Sequence, residues 1–166
     1  MQAIFDSGLK DYDAGNYPVA YATWHSIEDV DLAALRNIAV MLRKGQGVEK
    51  DPKAAAHKME RAAEAGLVTA EADLGDMYLS GETGKRDVAA ALPWLVRAAA
   101  AGHPLAACQL AKLYETGDGV PKNLEIARKL YQQGADAGLE DAAAALKALP
   151  PPPSTPSGTA DHKAGH

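Results

Sequence analysis

A repeat of 36 residues is the feature that most limits what this chain can fold into. Leu74 has Ile38 36 residues before it and Leu110 36 residues after it. The same step connects three further sets of identical residues: Ala34, Ala70 and Ala106; Gly45, Gly81 and Gly117; Gly66, Gly102 and Gly138. A fixed period of this length is typical of stacked repeats, in which neighbouring units bury each other's apolar faces.

The composition favours helices as the repeating element. Hydrophobic residues make up 47% of the chain but aromatic residues only 5%, because alanine supplies much of the apolar share. Alanine is the strongest helix former, whereas a β-sandwich needs many β-branched and aromatic residues. The repeat unit is therefore predicted to be a pair of helices.

Helix boundaries can be placed in the middle unit, Ala70–Gly102. Gly81 is predicted to end its first helix (helix A), and Gly102 ends its second (helix B). Asp87 is a suitable N-cap for helix B. Pro93 lies inside helix B and removes a backbone hydrogen bond, so we expect a bend or a late helix start there. Equivalent N-caps in other units are Asp31, Asp51 and Asn123.

The pattern divides the chain into three parts. Residues 1–30 are predicted to form an N-terminal capping hairpin, with Pro18 at the start of its second helix. Residues 31–149 are predicted to hold three repeats and a C-terminal capping helix. Residues 150–166 begin with four prolines and are rich in Pro, Ser, Gly and Thr, so they are predicted to be a disordered tail.

Charge and cysteine content exclude several classes of partner. The formal net charge is -5 and no long Lys/Arg cluster occurs, so we expect no nucleic-acid partner. The lone cysteine, Cys108, excludes an intrachain disulfide and the cysteine pairs of common metal sites. We therefore expect no metal and no cofactor.

The sequence gives no sign of a membrane-inserted segment. No run of about 18 apolar residues occurs. The first residues include the acidic Asp6 and no long apolar stretch, so no signal peptide is predicted. These features predict a cytoplasmic location, and a periplasmic one stays open if a leader was trimmed from a precursor.

The repeat pattern resembles the Sel-one-like repeat (SLR) family, whose members are relatives of tetratricopeptide repeats. Ala70–Gly81 reads A-x-x-x-L-G-x-x-Y-x-x-G, and Asp87–Gly102 contains D-x-x-x-A and R-A-A-x-x-G. Tyr114–Asn123 adds Y-x-x-G-x-G-V-P-K-N. The chain departs from the family pattern at Lys58, where the family prefers an aromatic residue, and at Gly134, which interrupts an Ala-Ala pair.

This resemblance implies the fold and a class of function. We predict an all-α fold, a right-handed α/α superhelix (solenoid) of helical-hairpin repeats. The family consists mostly of adaptors and scaffolds, which implies a non-enzymatic protein or regulatory subunit that binds another protein or peptide. An inhibitor or immunity-type partner of a bacterial enzyme or toxin is the alternative. The oligomeric state is left open.

A third hypothesis, of another class, is a hydrolase of cell-wall substrates or β-lactams. Ser7 and Lys10 match S-x-x-K, the nucleophile motif of penicillin-interacting enzymes. No K-T-G or S-D-N sequence accompanies them, so the match is interpreted as a coincidence and no catalytic residue is assigned.

Exposed positions of the A helices form the predicted partner-binding site, on the concave face. With Ile38, Leu74 and Leu110 directed to the core, the exposed concave residues are predicted to be Arg36, Val40, Arg43, Ala72, Asp76, Leu79, Cys108, Lys112 and Glu115. The first repeat offers positive charge, which favours a groove for a peptide or helix with an acidic group. The alternative is an ordinary solvated face.

Two further patterns are interpreted structurally. Gly45-x-Gly47 looks like a phosphate loop but lacks the following Lys and Ser/Thr, so a turn explains it. His25 precedes Glu28 by three residues, a spacing that one metal could bridge, but no third ligand lies nearby in the sequence. A surface side-chain pair is the preferred interpretation.

Overall fold

The computed structural model describes residues 1–154, and in that part of the chain all regular structure is helical. Its nine helices are α1 (Gln2–Asp13), α2 (Tyr17–His25), α3 (Leu32–Lys44), α4 (Pro52–Glu64), α5 (Val68–Ser80), α6 (Val88–Ala100), α7 (Pro104–Thr116), α8 (Leu124–Asp136) and α9 (Glu140–Ala148). This all-α arrangement confirms the predicted fold class.

Side-chain caps fix where the repeat helices begin. Asp31 Oδ1 accepts two backbone N–H bonds at the start of α3, at 2.9 and 3.0 Å. Asp51, Asp87 and Asn123 cap α4, α6 and α8 in the same way, as predicted from the sequence. Each such cap contributes about 1 kcal/mol by pairing backbone donors that the helix leaves free.

The expected late start of the helix that contains Pro93 is wrong. Helix α6 begins at Val88, directly after its cap Asp87, and continues past Pro93 to Ala100. The missing N–H of Pro93 would have paired with the carbonyl group of Ala89. Pro93 and Ala89 are both exposed, so water can hydrate that carbonyl and reduce the cost of the proline.

Stacked hairpins bury the apolar ladder that the 36-residue period predicted. Ile38 and Leu74 are fully buried and Leu110 is 5% exposed. The hairpins α3/α4, α5/α6 and α7/α8 pack in sequence order, α1/α2 packs before them and α9 packs on α8. Helices α3, α5 and α7 are the A helices of the three units. Their exposed side, together with the adjoining residues of α1 and α9, is called the A-helix face below.

Short helices lie at both ends of the array. Helices α1 and α2 fall within residues 1–30, and α9 lies before Pro150. Residues 150–154 form no regular structure and are exposed. The remainder of the predicted disordered tail, residues 155–166, lies outside the described residues. The roles of α1/α2 and α9 as caps stay predictions.

Candidate functional site

Three depressions on the A-helix face include residues of the predicted site. The N-terminal hollow, about 270 Å³, includes Leu9, Tyr12, Arg36, Val40 and Lys44. The middle hollow, about 400 Å³, includes Leu79, Arg86, Gln109, Lys112 and Asp118. The C-terminal groove, about 610 Å³, includes Ala72, Asp73, Asp76, His103, Leu105, Cys108, Gln109 and residues 138–141. The groove therefore offers the most room for a partner side chain.

The predicted site residues do not gather in one place. They divide as follows: Arg36 and Val40 line the N-terminal hollow, Leu79 and Lys112 line the middle hollow, Ala72, Asp76 and Cys108 line the C-terminal groove, and Arg43 and Glu115 line none of the three. A partner of modest size would contact only one of these subsets.

The expected exposure of Ala72 is wrong. Ala72 is only 5% exposed, and it packs with Leu95 and Ala106 in the core of the second and third units. Its methyl group forms part of the groove floor. The short side chain explains the difference, because at this place on helix A only a longer side chain reaches solvent. The equivalent Arg36 is half-buried and reaches further.

The expected positive charge of the first repeat is also corrected. Arg36 binds Asp73 of the next repeat, with nitrogen–oxygen distances of 2.7 and 2.8 Å. Arg43 binds both Asp76 and Glu82. Burial alone would lower the pKa of the Arg43 guanidinium, but hydrogen bonds and charge from these two carboxylates raise it above its ordinary value. Both arginines therefore stabilise the contact between repeats and are not free to hold an acidic partner.

Glu115 likewise has a structural contact. Its Oε2 accepts a hydrogen bond of 2.5 Å from the hydroxyl group of Tyr131 on α8. Burial, followed by this hydrogen bond and the charge of Glu115, raises the pKa of the buried Tyr131. The bond joins the two helices of the third repeat.

The charged lining of the C-terminal groove is acidic. Asp73 forms an ion pair with Arg36, and Asp76 forms one with Arg43 and accepts a 2.7 Å hydrogen bond from Gln109. Glu140 and Asp141, in the first turn of α9, form no ion pair with any described residue. Sequence reasoning missed these two carboxylates because α9 was treated only as a cap.

Leu105 is the second feature of the groove that sequence reasoning missed. Its side chain is 58% exposed although it lies at the start of α7, beside the buried Ala106. A signal was present, because Leu105 lies three residues before the predicted Cys108 and 36 residues before Asp141. Extending the exposed helical stripe one turn back from Cys108 would have found Leu105, and the 36-residue step from Leu105 would then have found Asp141.

Cys108 lies in the groove as a half-buried thiol. Burial raises its pKa, and the negative charge of Asp141 raises it further. The thiol is therefore mostly protonated at neutral pH and is a poor nucleophile. A Cβ atom built at Gly134 would lie 2.5 Å from its sulfur, which shows how closely α7 approaches α8 here.

The pair of His25 and Glu28 is not the surface pair expected. His25 Nδ1 lies 3.3 Å from Glu28 Oε1, but Glu28 is only 8% exposed. Lys58 Nζ lies 2.8 Å from the same oxygen. Lys58 stands where an aromatic residue is usual, and the buried carboxylate of Glu28 explains that departure.

The residues that the structure describes contain no group of three or more His, Cys, Asp or Glu side chains that could hold a metal ion. None of their helices is both long and apolar enough to cross a membrane.

Comparison with known families gives a clear result. The Sel1 repeat model matches three successive segments that together cover well over half of the chain: residues 32–67, 68–103 and 104–139. The chain belongs to the Sel1 repeat family. This confirms the resemblance to Sel-one-like repeats, and each match has the 36-residue length of the period seen in the sequence. Among curated proteins no match was found.

Solved structures with the same fold include two Sel1 repeat (SLR) proteins. A Sel1 repeat protein from Oxalobacter formigenes is 34% identical with a TM-score of 0.80, covering 86% of this chain and 58% of its own. The protective antigen c5321 of uropathogenic Escherichia coli, which displays an SLR fold, is 28% identical with a TM-score of 0.80, covering 87% and 32%. The chain thus spans 58% of the length of the first of these relatives and 32% of the second.

A third structure shows likeness of fold alone. The immunity protein Pa5087 from Pseudomonas aeruginosa is 23% identical with a TM-score of 0.59, covering 84% of this chain and 55% of its own.

Sel1 repeats generally serve protein–protein interaction, and the proteins that carry them are typically non-enzymatic adaptors.

Proposed function

We propose that this Sel1 repeat chain is a non-catalytic adaptor, scaffold or regulatory subunit that holds a segment of a partner protein in its C-terminal groove. The observation that carries the proposal is the exposed Leu105 inside a depression of about 610 Å³. Binding pockets of proteins are concave and combine apolar walls with a few polar groups, as this groove does.

The rest of the A-helix face supports the choice of this groove. Arg36 and Arg43, which occupy the first repeat, are held in ion pairs with the second repeat. Breaking such pairs would cost free energy on binding, whereas Leu105 loses only contact with water.

Site-specific photo-crosslinking tests the proposal. A photoreactive amino acid is placed at Leu105 in one variant and, as the matched control, at Val96, which is 47% exposed on α6 and outside the groove. We expect one protein to be crosslinked reproducibly from position 105 and not from position 96. Equal crosslinking from both positions, or none from 105, would contradict the proposal.

An activity assay of the crosslinked partner separates the adaptor from the inhibitor or immunity-type alternative. The fold shared with Pa5087 is compatible with that alternative, but 23% identity carries the fold only. The captured partner is assayed with increasing amounts of this chain. Stoichiometric loss of the partner's own activity would select the inhibitor, and unchanged activity would select the adaptor.

A further inference from the structure

We propose that the partner segment held in the C-terminal groove is cationic: its Lys or Arg side chains bind Glu140 and Asp141, and a neighbouring apolar side chain packs on Leu105. This inference rests on the proposed function and adds the chemistry of the occupant. It reverses the expectation from the sequence, which favoured an acidic partner.

The first step is the sign of the charge. All charged side chains that line the groove are carboxylates: Asp73, Asp76, Glu140 and Asp141. His103 Nδ1 accepts the backbone N–H bond of Ala106 at 3.3 Å, so only its Nε2 is left to meet a ligand. An acidic segment would therefore find four carboxylates and no Lys or Arg in the groove.

The second step is which carboxylates are available. Asp73 and Asp76 are already paired with Arg36 and Arg43. Glu140 and Asp141 form no ion pair with any described residue, and both line the groove from the first turn of α9. Cationic side chains of a partner can thus meet these two carboxylates without displacing an existing pair.

The third step is the apolar wall beside these charges. Leu105 is 58% exposed, and the methyl group of Ala72 and the sulfur of Cys108 line the same groove. An apolar side chain next to the partner's cation would cover Leu105 from water. An apolar anchor supplies affinity and a flanking charge pair supplies specificity, which is the usual division in protein interfaces.

Two synthetic peptides and three proteins test this inference. The peptides are Leu-Lys-Lys-Leu-Lys-Leu and its counterpart with Glu at each Lys position, both blocked at their ends. The proteins are the full chain, Glu140→Gln/Asp141→Asn, and the control Glu49→Gln/Glu64→Gln. Glu49 and Glu64 are exposed and lie outside the groove. Each double variant removes two carboxylates, so both raise the formal net charge of -5 by two.

The readout is the dissociation constant from NMR titration at about 0.15 M salt, where long-range charge effects are screened beyond about 8 Å. We expect the Lys peptide to shift amides of α7 and α9 and to bind about tenfold more weakly to the groove variant. The control variant should change the constant less than twofold, and the Glu peptide should not bind. Equal weakening in both variants, or binding of the Glu peptide, would overturn the inference.

Failure of this inference can be told apart from failure of the proposed function. If position 105 still crosslinks a partner, but Glu140→Gln/Asp141→Asn leaves its capture unchanged, the groove is a binding site and its occupant is not cationic. If neither a peptide nor a partner occupies the groove, both proposals are wrong.

Discussion

Leu74 shows what the 36-residue ladder contributes at a single position. Its side chain is fully buried between the first and third units, where Ile38 and Leu110 take the equivalent places. We expect Leu74→Ala to lower the free energy of unfolding by roughly 2–5 kcal/mol, because it leaves a cavity that the stacked helices can only partly close. Chemical denaturation measures this.

Leu105→Ala is the matched control for that substitution. It removes the same atoms from a side chain that is 58% exposed, so stability should change by less than about 0.5 kcal/mol. A similar loss in both variants would contradict the packing scheme.

Lys58 and Glu28 give a second prediction at a buried charge. Glu28 Oε2 is buried without a hydrogen-bond partner among the described residues, and Oε1 contacts Lys58 Nζ at 2.8 Å and His25 Nδ1 at 3.3 Å. We expect Lys58→Met to destabilise the chain by up to about 3–5 kcal/mol, because it leaves the buried carboxylate with only the more distant contact to the exposed His25. Thermal and chemical unfolding measure the change.

The apolar double variant Glu28→Met/Lys58→Met tests the cause of that loss. Replacing a buried ion pair by apolar residues of similar volume is often neutral or stabilising. Stability should therefore return to within about 1 kcal/mol of the starting chain. A double variant no more stable than Lys58→Met would show that the charge is not the cause.

The thiol of Cys108 gives a prediction about pH. Burial and the charge of Asp141 disfavour the thiolate and raise the pKa of Cys108. Asp141→Asn removes the second cause, so the pKa should fall and the midpoint of alkylation by iodoacetamide should move to lower pH. Below that midpoint the variant reacts faster, and well above it the two rates converge. Glu64→Gln, outside the groove, should leave the midpoint in place.

At the scale of one element, Gly134 sets how closely α8 approaches both α7 and α9. It replaces the alanines found at positions 62 and 98, and a Cβ atom there would lie 2.5 Å from the sulfur of Cys108 on α7 and 2.8 Å from the Cβ of Ala142 on α9. We expect Gly134→Ala to cost about 1–3 kcal/mol, since backbone or helix must shift to relieve the contact. Faster hydrogen exchange in α9 would report the shift.

Gln132→Ala on the same helix is the control for the Gly134 substitution. Its side chain is exposed, so hydrogen exchange in α9 should be unchanged and stability should stay within about 0.5 kcal/mol. If both variants loosen α9 equally, helix α8 as a whole is responsible and the close contact at Gly134 is not.

Helices and their order could be predicted from the sequence, whereas the groove could not. A constant step of 36 residues places Ile38 and Leu74 on the same stripe, and Asp87 marks a helix start by a local rule. The partners of Arg36 and Arg43 lie 33 to 39 residues away in the sequence. No local rule selects those partners, so arginines already paired in the structure were expected to be free.

For the whole molecule, the outer face of α1 differs from an internal stacking face. Gly8 packs against Trp24 as Gly75 packs against Leu95, so α1 aligns with the A helices through these glycines. With Gly8 placed on Gly75, and the 36-residue step applied once, Ser7 and Lys10 correspond to Ile38 and Met41 of the first unit. Ser7 and Lys10 are exposed, whereas Ile38 and Met41 are buried in the interior. Polar residues at these two places suit a terminal repeat, which has no neighbour on its outer face, whereas Ile4, one turn earlier and 43% exposed, keeps an apolar residue there.

This comparison predicts that an apolar outer face would make the array associate. Ser7→Ile/Lys10→Met restores the internal pattern on a surface without a neighbouring repeat, so we expect concentration-dependent dimers in sedimentation velocity. The control Lys53→Met/Thr69→Ile adds similar apolar area at exposed positions elsewhere in the array. Equal association of both variants would show general stickiness and would contradict the assignment of α1 as a cap.

The ion pairs between repeats also bear on how such an array can be rearranged. The apolar ladder is nearly the same at each junction, so exchanging two units would keep a buried core. The pair of Arg36 and Asp73 has no copy one repeat later, where the equivalent residues are Ala72 and Gln109. A permuted chain would therefore fold into the same helices but leave charges unmatched at its junctions. The order of the units is specified by their polar residues, while their ability to stack is specified by the apolar ones.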